Sequence, residues 1–248
     1  MVIDYSIIIP AYNEEALLAN TLEVLHKAMA EIPLSGEIIV TDNNSTDRTS
    51  EIAKAAGAKV VFEPINQISR ARNTGAKHAE GRYLIFIDAD TLAPPSLLQI
   101  ALNNLQSGKC CGGGANICLD KPLGLHVRAV LACWNTISRV FRLAAGSFVY
   151  CLRDDFEACG GFSEKHYAAE EIWFSIALKR LGKKSNRKFC IISKPEVITS
   201  SRKLFWFSHI QQLALLICLP LFPFMMRYKW MCRYWYKRPG EKSNHCHR

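Results

Sequence analysis

Short apolar stretches and longer amphipathic stretches alternate through the first hundred residues. The stretches typical of strands cover 5–9, 37–41, 58–62 and 83–87. Those typical of helices cover 14–30, 45–56, 69–79 and 94–105. Strands and helices that alternate with short links pack as parallel strands joined by right-handed crossovers. We therefore expect an α/β fold with a mostly parallel, Rossmann-like sheet flanked by helices.

The pattern is less regular after residue 107. Gly112-Gly-Gly114 lies in an expected strand, where glycine permits close approach of a ligand or another backbone. A helix expected at 168–181 should end at Gly182. Further elements are expected at 125–143, 146–152 and 195–198.

Polar segments follow the expected strands. In an open α/β sheet, ligands bind in the crevice outside the carboxyl ends of the strands, so these segments are expected to share one crevice. They are Ala11-Tyr-Asn-Glu14, Asp42-Asn-Asn44, Glu63 and Asp88-Ala-Asp90.

Asp88-Ala-Asp90 is the sharpest of these segments. At a strand end, residues two apart point the same way. Two carboxylates in this arrangement are suitable ligands for a Mg²⁺ or Mn²⁺ ion that bridges a diphosphate. By themselves, the two aspartates are also consistent with a loop or helix-cap role, and with a phosphate-ester hydrolase that uses Asp88 as nucleophile.

Asp42 and Arg70 are further candidates. Asp42 could accept a hydrogen bond from a nucleotide base, and Arg70 or Arg72 could neutralise a diphosphate or pair with the crevice carboxylates. Turn and cap chemistry for Asp42, and a solvated helix face for the arginines, account for the same residues equally well.

Four motifs in this order resemble family 2 glycosyltransferases, which have the GT-A fold. The resemblance extends over roughly residues 5–200 and adds Gly160-Gly-Phe162 and the acidic pair Glu170-Glu171. The four motifs are Ile8-Ile-Pro-Ala-Tyr-Asn-Glu14, Val40-Thr-Asp-Asn-Asn-Ser-Thr-Asp47, Ala71-Arg-Asn-Thr-Gly75 and Phe86-Ile-Asp-Ala-Asp90.

This resemblance implies a nucleoside-diphosphate sugar as donor and Mg²⁺ or Mn²⁺ as cofactor. It assigns Asp88 to the ribose and the metal, and Asp90 to direct metal ligation. The residues it assigns to the nucleotide and diphosphate are Pro10, Ala11, Glu14, Asp42 and Arg70.

The resemblance also implies inverting transfer, with a carboxylate that removes the acceptor hydroxyl proton. Glu171 corresponds to the family's catalytic aspartate by its distance to Gly182. Relatives usually have Glu-Asp where this chain has Glu170-Glu171, so the base stays open between the two glutamates. The same departure suggests the alternative of a catalytically inactive protein that binds sugar nucleotides. Asn43 replaces an aspartate found in many relatives.

Arg202 is a candidate diphosphate ligand, because Thr199-Ser-Ser-Arg202 follows an expected strand and resembles a stretch of some relatives. A basic, membrane-facing surface accounts for Arg202 equally well. We expect a catalytic domain at 1–203, with a nucleotide-binding half at 1–106 and an acceptor half at 107–203.

The remaining residues, 204–248, form an apolar and basic tail. Leu213–Met226 is wholly apolar, and residues 227–248 carry a net charge of +6. Aromatic and basic flanks fit a membrane interface. A simple span would place the basic end outside, so a peripheral or re-entrant segment is favoured over a spanning one. Packing on the core, or a dimer contact, stays open.

Net charge is distributed unevenly, at −5 for residues 1–106 and +14 for residues 107–248. A basic half suits an anionic partner, but no recognised nucleic-acid module accompanies it. No secretory signal opens the chain, and the scattered cysteines are expected to be free thiols. We expect a cytoplasmic protein, peripheral or anchored at the inner face of the membrane, whose acceptor is lipid-linked or membrane-proximal.

Overall fold

One eight-stranded sheet organises the computed structural model, which describes residues 2–122, 124–206, 223–232 and 236. The strands are β1 (Tyr5–Ala11), β2 (Gly36–Asp42), β3 (Lys59–Phe62), β4 (Tyr83–Ile87), β5 (Thr91–Leu92), β6 (Cys110–Leu119), β7 (Phe148–Leu152) and β8 (Lys188–Thr199). The helices are α1 (Leu18–Ala30), α2 (Thr49–Ala55), α3 (Ile68–Lys77), α4 (Pro95–Gln106), α5 (Leu125–Phe141), α6 (Arg153–Ala158), α7 (Glu170–Lys184) and α8 (Arg202–Trp206), with a 3₁₀ helix at Pro223–Arg227.

The first half of the sheet matches the sequence prediction. Strands β3, β2, β1 and β4 lie side by side and all pair in parallel. The register sets Ala11 opposite Asp42, so the carboxyl ends of β1 and β2 meet at one edge. Segments that follow these strands are thereby brought together.

The prediction of a mostly parallel sheet is wrong, because the sheet is mixed. Strand β7 pairs antiparallel with both β4 and β6, and β5 pairs antiparallel with β8. An apolar run such as Phe148–Leu152 can pair in either direction, so its composition does not encode this reversal. Two antiparallel steps restore the direction, and β6 and β8 therefore run the same way as β4.

Both faces of the sheet are covered, and β1 contributes to both. Ile7 and Ile9 pack with α1 and α4 on one face, whereas Ile8 packs on the other face with residues of α7. Successive strand side chains point to opposite faces, which explains why the whole run is apolar. The result is an α/β, GT-A-like fold.

Gly182 lies inside α7 rather than at its end, contrary to the sequence prediction. A Cβ atom there would lie 2.6 Å from Cys111 Sγ and 2.8 Å from the Arg187 carbonyl oxygen. The glycine is therefore required for close packing of α7 on β6. In β6 itself, a Cβ on Gly113 would lie 2.0 Å from the Cys190 carbonyl oxygen, as the close approach predicted for this segment requires.

The expectation of free thiols is wrong for one pair of cysteines. Cys110 of β6 and Cys190 of β8 form a disulfide, with Cα atoms 6.5 Å apart. These two strands are neighbours only in the folded sheet, so their pairing is not visible along the chain. Five other described cysteines are free thiols: Cys111, Cys118, Cys133, Cys151 and Cys159.

Most of the predicted membrane-associating segment, including His209, lies outside the described residues. The described part of the tail packs on the domain: Met226, Cys232 and Tyr236 form a buried cluster with Ala168. The Met226 carbonyl oxygen accepts a hydrogen bond from Tyr167 N at 2.6 Å. Among the described residues, no helix combines the length and the apolar character that crossing a membrane requires.

Candidate active site

A cleft of about 480 Å³ opens at the carboxyl ends of β1, β4, β6 and β8. All four strands run in the same direction, which explains why their following segments converge here despite the mixed sheet. The residues of the first half that line it include Pro10, Ala11, Glu14, Asn43, Arg72, Asp88 and Asp90.

Arg72 of α3 organises the polar end of the cleft. Its guanidinium donates to Glu170 Oε1 at 2.8 Å, to Asp88 Oδ1 at 2.9 Å and to the Gly146 carbonyl oxygen at 2.8 Å. The Arg72 side chain is 2% exposed and lies 5.1 Å from the Phe162 ring centroid. Burial opposes the charge of Arg72, but Asp88, Glu170 and Glu171 outweigh it and raise the pKa above its ordinary value.

The two adjacent glutamates at the start of α7 lie in different environments. Glu170 is buried and bound to Arg72, whereas Glu171 is half-buried. Both line the cleft. Burial in the cleft raises the pKa of Glu171 to about 8; Glu170 and Asp88 add to the rise and Arg72 opposes it. Glu171 therefore has the environment of a tuned proton acceptor.

Arg202 joins two acidic residues on the other side of the cleft. It donates to the Glu14 carboxylate and to Asp90 Oδ2, the latter at 3.1 Å. Its guanidinium also lies 5.3 Å from the Trp206 ring centroid. Burial opposes its charge, but Glu14 and Asp90 raise the pKa of Arg202 above its ordinary value. Both carboxylates of the Asp-Ala-Asp segment are thus paired with arginines.

Asp42 and Arg70, two predicted ligands, do not line the cleft. Asp42 Oδ1 accepts a hydrogen bond from Ser45 N at 2.9 Å, and Arg70 pairs with Glu164 at 3.0 Å. Their neighbours Asn43 and Arg72 line the cleft instead. Glu63, which was expected in the same crevice, does not line the cleft either. The remaining predicted site residues lie in the cleft or, for Arg202, bind residues that do.

Trp134 and Tyr236 also line the cleft and were not predicted from the sequence, and Arg72 takes the place in it that the family resemblance assigned to Arg70. A signal for Arg72 was present. Arg72 lies one helical turn from Ile68, which lines the cleft, and one turn from Ala76, which is buried. Arg70 is rotated by about 200° around the helix axis relative to Arg72, so it lies on another side of the helix.

Asp88 and Asp90 provide hard oxygen donors suited to Mg²⁺ or Mn²⁺. No cluster of three or more His, Cys, Asp or Glu side chains is arranged to hold a metal among the residues that the structure describes. Magnesium sites commonly use one or two protein carboxylates and complete the shell with substrate phosphates and water. The two carboxylates fit a cation that is shared with a bound diphosphate, rather than one held by protein alone.

The far side of the cleft is apolar, in contrast to the acidic and basic end. It is formed by the carboxyl end of β6, one side of α5 and part of α8. The lining residues are Ile117, Leu119, Val127, Val130, Leu131, Trp134 and Leu204. The cleft therefore joins a charged compartment to an apolar one.

Solved glycosyltransferases share this architecture. The mannosyltransferase PcManGT from Pyrobaculum calidifontis, in complex with GDP-Man and Mn²⁺, superposes with a TM-score of 0.64 at 19% identity, over 92% of this chain and 64% of its own. TarS 1–349 from S. aureus, in complex with UDP-GlcNAc, superposes with a TM-score of 0.63 at 19% identity, over 81% of this chain and 59% of its own. At such identities the likeness shows the fold.

Relatives in sequence match about two fifths of the chain. Validoxylamine A glucosyltransferase from Streptomyces hygroscopicus subsp. limoneus is 33% identical over 103 residues, which are 39% of this chain and 22% of that protein. The minor teichoic acid biosynthesis protein GgaB from Bacillus subtilis is 31% identical over 107 residues, which are 40% of this chain and 12% of that protein. The match thus spans less than a quarter of the length of either relative.

The model of the family described as glycosyl transferase family 2 matches residues 6–148, more than half of the chain. The matched residues include β1, β2 and β4 and the Asp-Ala-Asp segment at the cleft. Together with the GT-A-like sheet, this match shows that the chain belongs to glycosyl transferase family 2.

Proposed function

We propose that this chain is a metal-dependent, inverting glycosyltransferase that moves a sugar from a nucleoside-diphosphate sugar to an acceptor hydroxyl. The observation that carries the proposal is the placement of Glu171, a half-buried carboxylate with a raised pKa, in the same cleft as Asp88 and Asp90. A proton acceptor and a diphosphate-metal site in one cleft are the parts that such a transfer requires.

Donor binding is assigned to the polar end of the cleft. Pro10, Ala11 and Glu14 would line the nucleotide, and Asp88 and Asp90 would hold Mg²⁺ or Mn²⁺. The metal would stabilise negative charge on the departing diphosphate. Asp42 and Arg70 stay proposals as nucleotide contacts, although both bond to protein partners outside the cleft in the structure.

Glu171 is our choice of base over Glu170. Glu171 would take the proton from the acceptor hydroxyl while that oxygen forms a bond to the anomeric carbon. The bond from this carbon to the diphosphate oxygen breaks on the opposite face, which inverts the configuration, and its electron pair leaves with the nucleoside diphosphate. Glu170 would instead fix the Arg72 guanidinium, which it already binds at 2.8 Å.

Arg72 and Arg202 would bind the diphosphate. Each contacts one aspartate of the Asp-Ala-Asp segment, so each lies beside the position proposed for the metal-bound diphosphate. An arginine fork matches the geometry of phosphate oxygens. Arg202 was already a candidate diphosphate ligand in the sequence prediction, and we propose that Arg72 binds the diphosphate together with it.

The apolar side of the cleft supports an acceptor that is lipid-linked or membrane-proximal. Apolar walls favour apolar ligand groups, because contact with them removes both surfaces from water. We keep residues 1–106 as the nucleotide-binding half, 107–203 as the acceptor half and 204–248 as the tail. The proposed place of action is the cytoplasmic face of the membrane.

A thermal-shift screen of nucleoside diphosphates and their sugars, with and without Mn²⁺, tests donor binding. Native-state ligands stabilise by about 2.7 kcal/mol at a hundredfold excess over Kd. Release of nucleoside diphosphate with an acceptor extract of membrane lipids tests transfer. Metal-dependent stabilisation with turnover supports the enzyme. Stabilisation without turnover or hydrolysis over a broad acceptor panel would instead support an inactive sugar-nucleotide-binding protein.

A further inference from the structure

Helix α5 is far more exposed than its composition leads one to expect. It has the sequence Leu-His-Val-Arg-Ala-Val-Leu-Ala-Cys-Trp-Asn-Thr-Ile-Ser-Arg-Val-Phe over residues 125–141. Only Asn135 and Ser138 are fully buried, whereas Leu125, Val140 and Phe141 are 81%, 68% and 61% exposed. Large exposed apolar patches on a folded protein mark sites of interaction.

Most of the exposed apolar residues lie on one side of the helix, where the exposed His126 and Thr136 are interspersed with them. At 100° per residue, Leu125, Ala129, Cys133 and Val140 lie opposite the buried Asn135 and Ser138. Val130, Ile137 and Phe141 flank this face and are also exposed. The helix therefore carries apolar side chains towards solvent as well as towards the cleft, which Val127 and Leu131 line.

The same helix lies in a long basic stretch free of carboxylates. Residues 121–153 contain Lys121, Arg128, Arg139, Arg142 and Arg153, and no Asp or Glu. Among the described residues, no ion pair involves the three arginines from 128 to 142. Lys179 adds further positive charge at the end of the helix, where its ammonium donates to the Phe141 carbonyl oxygen at 2.8 Å.

We propose that the exposed face of α5 docks on an anionic lipid bilayer. Apolar side chains would enter the headgroup boundary, while Arg128 and Arg139 at the edge of the face would meet lipid phosphates. This combination of an apolar face and basic edges is the complement of an anionic membrane surface.

Two other occupants fit the charges less well. Residues 207–222 are largely apolar but contain no Asp or Glu, so they cannot neutralise the arginines. A second copy of the chain docked by the same face would set one basic face against another, because a two-fold contact repeats the same patch on both sides. Neither satisfies both the apolar and the charged part of the surface.

Docking by α5 would set the cleft beside the bilayer. The inner side of the helix carries Val127, Leu131 and Trp134, which line the apolar side of the cleft. One helix thus separates the cleft from the proposed membrane surface. The docking proposal rests on the membrane location given under the proposed function, which it assigns to one helix face, but it does not depend on turnover.

Vesicle flotation of the full chain tests the proposal, with phosphatidylcholine vesicles compared with vesicles that also contain phosphatidylglycerol. We expect flotation with the anionic vesicles and its loss at high salt. The double variant Leu125→Gln/Val140→Gln should bind at least about tenfold more weakly. Arg128→Gln/Arg139→Gln should bind about thirtyfold more weakly.

Matched controls distinguish the helix from general surface effects. Val2→Gln/Phe62→Gln changes two apolar residues of similar exposure, 85% and 59%, elsewhere in the chain. Lys54→Gln/Lys77→Gln removes the same charge from α2 and α3. Both controls should float like the unchanged chain, and all variants should keep its thermal stabilisation by donor nucleotides.

Three results would overturn the proposal. The first is that the unchanged chain fails to float with any vesicle. The second is that the α5 variants float as well as the unchanged chain, which would assign binding to another segment. The third is that the chain dimerises without lipid and that Leu125→Gln/Val140→Gln makes it monomeric, which would assign the face to a second copy. None of these results bears on donor binding or turnover, so they are distinguishable from failure of the proposed function.

Discussion

Glu170 accepts a 2.8 Å hydrogen bond from Arg72, and these two side chains are only 4% and 2% exposed. The contact joins α7 to α3 across the cleft, although the residues are 98 positions apart in the chain. It leaves the next residue, Glu171, as the carboxylate of the pair with the raised pKa. Two chemically identical neighbours thereby lie in different environments, which is the basis for proposing different roles for them.

Glu171→Gln should lower turnover by a factor of about 10² to 10⁴, because the amide cannot accept the acceptor proton. Donor-induced thermal stabilisation should be unchanged, since the substitution is isosteric. Release of nucleoside diphosphate measures turnover, and a thermal-shift titration measures the stabilisation by the donor. Glu157→Gln, at an exposed residue of α6, is the matched control. Full activity of Glu171→Gln would refute the base assignment.

Glu170→Gln should instead reduce stability, because it removes the charge that compensates buried Arg72. Loss of one partner of a buried pair costs about 3–5 kcal/mol, and the remaining contacts of Arg72 with Asp88 and Gly146 favour the lower end. Urea denaturation measures the change. Glu23→Gln removes an exposed, solvent-screened pair with Lys27 and should leave the urea midpoint nearly unchanged. Equal losses in the two variants would contradict the structural role of Glu170.

The raised pKa of Glu171 predicts the direction of the pH profile. With a pKa of about 8, the base is mostly protonated at neutral pH, so kcat/KM should rise about tenfold per unit below that value and level off above it. Glu171→Gln should lack this limb. The same pKa shift makes folding stability depend on pH. The stabilising contribution of protonated Glu171 is fully present below its ordinary pKa of 4.5 and is lost as pH rises through about 8. A flat profile between pH 6 and 8 (roughly the range that separates the two forms) would contradict the assignment.

Asp90→Ala should abolish the Mn²⁺-dependent part of the stabilisation by a nucleoside diphosphate, because it removes one of the two carboxylates at the proposed metal position. Differential scanning fluorimetry with and without Mn²⁺ measures it. Asp154→Ala, at an exposed carboxylate in the first turn of α6, should retain the full effect. Equal metal dependence in both variants would remove Asp90 from the metal site.

Tyr236 should hold the described part of the tail on the cleft. Its hydroxyl oxygen accepts a hydrogen bond from Ile68 N at 3.2 Å, and its ring packs edge-on against Tyr167. Tyr236→Phe should speed hydrogen exchange of the Ile68 amide, and Tyr236→Ala should also weaken the Tyr167 contact. Tyr228→Ala, at a residue 52% exposed, should leave that amide unchanged. Unchanged exchange in all three variants would rule out this contact.

The first half of the fold, residues 1–106, could be predicted from the sequence because its signals are local. Each apolar run of β1, β2 and β4 is followed directly by its polar segment, and parallel pairing then brings Glu14, Asp88 and Asp90 to one edge. No knowledge of distant contacts is needed for that inference.

The second half depends on contacts that are distant in the chain. The direction of β7, the Cys110–Cys190 bond and the place of Arg202 beside Glu14 are set by which surfaces meet after folding. The choice between Arg70 and Arg72 required the side of α3 that faces the cleft. Residue spacing places Arg70 and Arg72 on different sides of α3, but only the contacts of Arg72 with Glu170 and Asp88 show which side faces the cleft.

The arginine pairing of Asp88 and Asp90 has a consequence for the order of ligand entry. The chain supplies its own counter-ions to the carboxylates that a metal would use, so a bare cation competes with Arg72 and Arg202. A diphosphate that arrives with the cation offers both guanidinium groups a replacement anion. Loading then becomes an exchange of partners with little change in total charge, and metal and nucleotide should bind with positive cooperativity.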